Sequence, residues 1–158
     1  MSRPDAKLWQ QAFDKEMNGL VKRNVFTVVD RPADRNPLGT TMVFKHKIDH
    51  VKNTITRKCR LCLRGDWQKE GADFFKYKTY SAVLNSRENR ALYALAAANK
   101  WHMFSSDITQ AFTYGKLDVP LFCHPPPGFA CLPGTVLGLN YCLFWSKTSS
   151  SVLQKRFH

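Results

Sequence analysis

Asp107 follows an apolar and aromatic run, Trp101–Phe104, and is followed by Ile108. A carboxylate placed where a strand edge gives way to a turn leaves the core and can hold a metal ion. Ala111 and Phe112 come next, at a spacing that packs beside the carboxylate. A second group is cationic. Residues 45–64 carry Lys45, Lys47, Lys52, Arg57, Lys58, Arg60 and Arg64 against Asp49 alone, which is half of the chain's net charge of +12. Positive charge clustered in this way suits a polyanion. Lys45 and Lys47 share one strand face by the two-residue period, and so do Lys58, Arg60, Cys62 and Arg64. Two such stripes on neighbouring strands form a clamp for phosphates. On the residues alone the alternatives stay open. Asp107 also suits a plain turn or cap, and the cations also suit a solvated edge that resists aggregation.

The elements that must position these groups follow from pattern. Pro4 and Asp5 open a helix in which Leu8, Trp9, Ala12, Phe13, Leu20 and Val21 recur near the helical period. Lys22 and Arg23 suit its C-terminal end, and Asn24 stops it. Val25–Val29 reads as a short strand, and residues 30–39 as loop. Thr41–Ile48 and Thr54–Leu63 read as two strands joined by a tight polar turn, a hairpin that carries the cations. Residues 65–80 are loop-like. A second helix starts at Ser86, and Ala91, Leu92, Leu95, Ala96 and Ala98 predict that it is buried. Leu121–Cys123 and Thr135–Phe144 are further strand candidates around a rigid turn at Pro125–Gly128. The expected fold class is α+β: an antiparallel hairpin plus two main helices.

With 158 residues, 44% apolar and 13% aromatic, the composition supports one domain with a core and excludes a disordered chain. No run approaches the roughly 20 apolar residues of a membrane span. The start lacks an apolar signal core, so an intracellular site is expected. The cysteines at 59, 62, 123, 131 and 142 form no framework, and Cys59-x-x-Cys62 lies on a strand whose residues three apart face opposite ways. Reduced thiols are expected rather than zinc.

The motifs resemble, in order and spacing, the reverse transcriptases of copia-type (Ty1/copia) retrotransposons. They are Trp9 with Glu16, Val43-Phe44-Lys45, Lys58-x-Arg60-Leu61 with Gly65, Gly71-x-Asp73-Phe74, Ala94–Ala97 with Trp101, Asp107 with Ala111-Phe112, Gly115-x-Leu117 and Pro126-Pro127-Gly128-Phe129. The resemblance covers about Leu8 to Cys142. It implies the fingers and an incomplete palm of a right-hand polymerase: residues 8–85 fingers-like, 86–142 partial palm, and 143–158 a divergent tail. It makes Asp107 a catalytic ligand of Mg²⁺. It places Lys58 and Arg60 on the triphosphate, Ile108 near the second ion and Phe112 under the sugar. Lys45, Lys47, Arg57 and Arg64 are then nucleic-acid contacts. RNA template, DNA primer, dNTP and the remaining part of a polyprotein are the implied partners. Cytoplasmic particles, with access to the nucleus, are the implied location.

Two departures limit that expectation. Two-ion chemistry needs several converging carboxylates, and in the family two of them come from a Tyr-x-Asp-Asp hairpin. After Glu88 this sequence has only Asp107 and Asp118. The family's Leu-Tyr-Gly-Leu-Lys-Gln block is here Leu143-Phe144-Trp145-Ser146-Lys147-Thr148, with a tryptophan where glycine is expected. The expectation is therefore a polymerase piece inactive alone. The other two readings are a sequence-nonspecific nucleic-acid-binding module built on the hairpin, and a retroelement remnant or interaction piece.

Overall fold

The computed structural model describes residues 5–49, 53–79, 84–106 and 111–147. The fold is α+β. Helix α1, Ala6–Lys22, buries Phe13, Glu16, Met17 and Leu20, one stripe at helical spacing. Leu8 and Val21, expected on that stripe, are exposed. The helix ends as a Schellman motif. Asn24 adopts φ 54°, and the Val25 N–H donates to the Leu20 carbonyl at 3.0 Å. That reversal leads directly into β1, Phe26–Asp30.

Strand β1 pairs antiparallel with β5, Thr135–Tyr141, and β5 pairs in turn with β4, Lys116–Cys123. The three-stranded sheet has the order β1-β5-β4. Strands β2, Thr40–Asp49, and β3, Thr54–Leu63, form the expected hairpin. Single-residue bridges join their flanks: Leu38, just before β2, pairs with Cys123 of β4, and Cys62 of β3 pairs with Phe144, beyond β5. The core lies where these parts meet. Phe13, Met17 and Leu20 of α1 pack with Leu61 and Leu63 of β3 and with Leu121, Cys123, Leu137 and Leu139 of the sheet. No helix among the described residues is long and apolar enough to cross a membrane.

Helix α2, Ser86–Ala98, starts with a capping box. Asn85 Oδ1 accepts from the Arg87 and Glu88 N–H groups, and Glu88 Oε2 accepts from the Asn85 N–H. Its start agrees with the sequence, but its predicted burial does not. Only Ala96 is buried, while Leu92, Tyr93 and Leu95 are exposed. Capping and alanine content form a helix locally, whereas burial needs a facing element. The predicted strand at Trp101–Phe104 is also absent. These residues have no regular structure, and Trp101, Met103 and Phe104 are exposed. A β-prone run becomes a strand only beside a partner edge. The expected divergent tail begins inside the fold, with Leu143 fully buried and Ser146 nearly so. Residues 148–158 lie outside the described residues.

Candidate nucleic-acid interface

The register of the hairpin sorts its side chains into two faces. On one face Cys59, Leu61 and Leu63 enter the core, and Phe44, His46 and Arg57 meet α1. The Trp9 ring stands edge-on to Phe44 at 5.5 Å, lies 4.9 Å from His46, and sits beneath the Arg57 guanidinium at 5.7 Å. Asp5 Oδ2 accepts from Trp9 Nε1 at 2.9 Å and pairs with Arg57 Nη2 at 3.3 Å. Glu16, buried on the inner face of α1, accepts from the Leu61 N–H at 3.4 Å. Trp9 and Glu16 therefore brace the back of the hairpin.

Desolvation raises the Asp5 pKa, but the Trp9 N–H and the Arg57 guanidinium more than offset it and hold the carboxyl below its ordinary value. The sign follows from linkage. This contribution to stability is present above the unfolded carboxylate value and is lost as pH falls through the folded one. Asp5→Asn is expected to narrow the gap in Tm between about pH 6 and about pH 3, compared with the unsubstituted chain. An unchanged gap in thermal melts would show that the pair contributes nothing.

The opposite face carries the cations. Lys45 stands opposite Lys58, Val43 opposite Arg60, and Lys47 opposite Thr56. Lys45, Lys47, Lys58 and Arg60 are all exposed. Among the described residues, no carboxylate lies within ion-pair distance of Lys45, Lys47 or Lys58. Like charges held side by side repel, so this face favours a bound anion. Arg57, grouped with them in the sequence, points to the reverse face and is paired. Arg64 closes the stripe but pairs with Asp66 at 2.7 Å and lies 4.9 Å from the Trp67 ring.

Beyond Arg64 the chain packs against residues 143–147. Gly65 lies so close to the Trp145 carbonyl that a Cβ there would collide with it. The Leu63 N–H donates to the Phe144 carbonyl at 2.9 Å, and the Lys147 N–H donates to Gln68 Oε1 at 2.8 Å. Gln68 Nε2 is a buried donor without an acceptor among the described residues. Trp145 takes φ 66°, a left-handed conformation that costs a residue with a Cβ about 1–2 kcal/mol. Sequence reasoning marked position 145 as a departure, but it missed the packed unit of Trp67, Gln68, Phe144 and Lys147. The available signal was aromatic residues close to cations, as in Arg64-x-x-Trp67.

Asp107 and Ile108 lie outside the described residues, as does the side chain of Phe112. The short helical turn Ala111–Tyr114 follows them. Its Thr113 Oγ1 accepts from Arg23 Nη1 at 3.4 Å, and Arg23 lies 5.7 Å from the Tyr114 ring. With Tyr141 they line an open cleft of about 200 Å³. Sequence reasoning gave Arg23 a role only at the end of the first helix.

Asp118 is exposed on β4, and the described residues hold no group of three His, Cys, Asp or Glu side chains able to bind a metal. Burial raises the pKa of the Cys59 thiol to about 11 and that of Cys123 to about 12. Burial thus disfavours the thiolate at both positions.

The sequence profile of the reverse transcriptase (RNA-dependent DNA polymerase) family matches residues 23–156. The chain belongs to that family, and its curated relatives place it with the Ty1/copia-type retrotransposons. It is 30% identical over 129 residues to the retrovirus-related Pol polyprotein from transposon TNT 1-94 of Nicotiana tabacum, covering 82% of this chain and 10% of that polyprotein. It is 28% identical over 118 residues to the truncated transposon Ty1-A Gag-Pol polyprotein of Saccharomyces cerevisiae, covering 74% of this chain and 10% of the relative. An uncharacterized mitochondrial protein of Arabidopsis thaliana, AtMg00820, is 35% identical over 89 residues, which is 56% of this chain and 51% of that protein. The chain thus spans about a tenth of the length of the polyproteins it matches. No solved structure matches it significantly.

Proposed function

We propose that the chain is the fingers and part of the palm of a copia-type RNA-directed DNA polymerase, and that its cationic hairpin face holds the phosphates of nucleic acid or nucleotide. The observation that carries this is the register of β2 and β3, which sets Lys45, Lys47, Lys58 and Arg60 on one exposed face while the reverse face is locked to α1. In this reading Lys58 and Arg60 meet the triphosphate, and Lys45 and Lys47 meet the template or primer backbone. Residues 8–85 serve as fingers and 86–142 as partial palm. RNA template, DNA primer, dNTP and the rest of a Pol polyprotein are the partners, acting in cytoplasmic particles and, for the DNA product, the nucleus.

Asp107 is the carboxylate of the family motif and would hold Mg²⁺, with Ile108 and Phe112 beside the nucleotide. One carboxylate cannot hold two ions. The chain alone is therefore expected to give no Mg²⁺-dependent primer extension, and extension by the purified chain on a primed RNA template would overturn that. The binding half is tested separately. Affinity for an oligonucleotide should fall steeply with salt, on the order of a hundredfold between about 50 and about 200 mM for four phosphate contacts. Absence of binding at about 50 mM salt would remove the reading.

The exposed apolar residues Leu92, Tyr93 and Leu95 of α2, with Trp101 and Phe104, favour a second reading of that surface as a contact for the remainder of a longer polymerase. A polyprotein segment carrying the Tyr-x-Asp-Asp hairpin should then co-purify with this chain, and Leu92→Lys with Leu95→Lys should abolish the pairing. Failure of the two to co-purify would sink the idea.

A further inference from the structure

At the base of the hairpin the cationic stripe runs into aromatic rings. The Arg60 guanidinium lies 5.1 Å from the Phe144 ring, Arg64 lies 4.9 Å from Trp67, and Lys147 Nζ lies 4.4 Å from Phe74. These residues form one unit, because the Leu63 N–H donates to the Phe144 carbonyl and the Lys147 N–H to the Gln68 side-chain oxygen. Phe74 is buried, and Phe144 lies beneath Arg60. Trp67 and Trp145 differ: they are 52% and 61% exposed. Two large side chains thus remain about half-exposed beside the end of a row of cations, Trp67 with Arg64 over its ring.

We propose that these indoles make the hairpin site selective for single-stranded nucleic acid, whose bases stack on the free surfaces of Trp67 and Trp145 while its phosphates follow Lys58 and Arg60. The inference rests on the phosphate-binding reading above and adds the form of the ligand. A duplex keeps its base faces within its own stack and offers a protein surface mainly phosphates and groove edges. Cations alone would bind duplex at least as well as single strand, since the duplex has the higher charge density. Exposed indoles add stacking that only unpaired bases can accept, and every base has a π face, so no sequence preference follows. Residues 58 to 64 of an extended chain span roughly 20 Å, long enough for the phosphates of several nucleotides.

The test is fluorescence anisotropy of the full chain with a labelled oligo(dT) of about 20 nucleotides and a duplex of the same length at about 50 mM salt. The single strand is expected to bind about tenfold tighter and to quench tryptophan emission. Trp145→Gly should weaken the single strand about tenfold and leave the duplex unchanged. Glycine relieves the left-handed backbone at 145, so this variant should melt no lower than the parent, and its loss of affinity is not unfolding. Trp67→Phe, which keeps a ring, should lose less than Trp67→Ala. Equal affinity for the two probes, unmoved by Trp145→Gly, would overturn the stacking site and leave the phosphate-binding reading standing. No binding of either probe would overturn both.

Discussion

Lys58→Glu combined with Arg60→Glu is expected to lower nucleic-acid affinity on the order of a hundredfold at about 50 mM salt, and to flatten its salt dependence by about two phosphate contacts. Both residues lie on the exposed hairpin face, and each neutralised phosphate releases counterions on binding. Removing two contacts removes two such terms, and the new carboxylates add repulsion. Arg57→Gln is the control. Arg57 is the immediate neighbour of Lys58 in sequence but lies on the reverse face, paired with Asp5 and stacked on Trp9. It should change affinity little while lowering Tm. Titrations at several salt concentrations decide the matter. An Arg57→Gln loss as large as that of the double variant would mean that the binding face has been assigned wrongly.

The largest effect on stability is expected at Gly65. A methyl group there meets the backbone carbonyl of Trp145, which cannot rotate away as a side-chain tip would. Gly65→Ala should cost about 3 kcal/mol, the upper end for overpacking, and lower Tm by roughly 10 °C for a chain of this size. Trp145→Gly should act in the opposite direction, by about 1 kcal/mol, by relieving the φ 66° strain. The two positions touch, so their effects should not add. With glycine at 145 the carbonyl can shift, and the cost of Gly65→Ala should shrink in the double variant. Chemical denaturation of the four chains completes the cycle. Additive values would show that the contact does not set the geometry of this corner.

The hairpin was legible in the sequence because its signal is local. Two β-rich runs with a polar turn between them fix the register, and the register fixes which cations share a face. The strand period already separates Arg57 from Lys58, yet the sequence reading grouped Arg57 with the nucleic-acid contacts, and its pairing with Asp5 on the reverse face corrects that. The ends of α1 and α2 were read to within a residue or so from Asn24 and Ser86. Burial was less accessible. The alanine and leucine content of α2 suits a covered helix, and Trp101–Phe104 suits a strand, but both outcomes depend on partners distant in sequence. The sheet β1-β5-β4 joins residues more than a hundred positions apart, and no pattern within either segment announces the other. The aromatic corner escaped for the same reason: Arg60 and Phe144 are ordinary residues until the fold brings them together. Asp107, the residue with the sharpest chemical expectation, lies outside the described residues.

The exposed side chains of α2 and Trp101–Phe104 also bear on the colloidal behaviour of the chain. A net charge of +12 on 158 residues keeps copies apart, and this repulsion shields the apolar surface from self-contact. A polyanion bound to the hairpin cancels much of that charge. Loading with nucleic acid and clustering of protein molecules are therefore linked equilibria: the complex should scatter more light near charge neutrality than with either component in excess. A flat light-scattering titration would show that the apolar surface is not adhesive. On the proposed binding reading, the same exposed surface would thus tie solubility to the amount of nucleic acid bound.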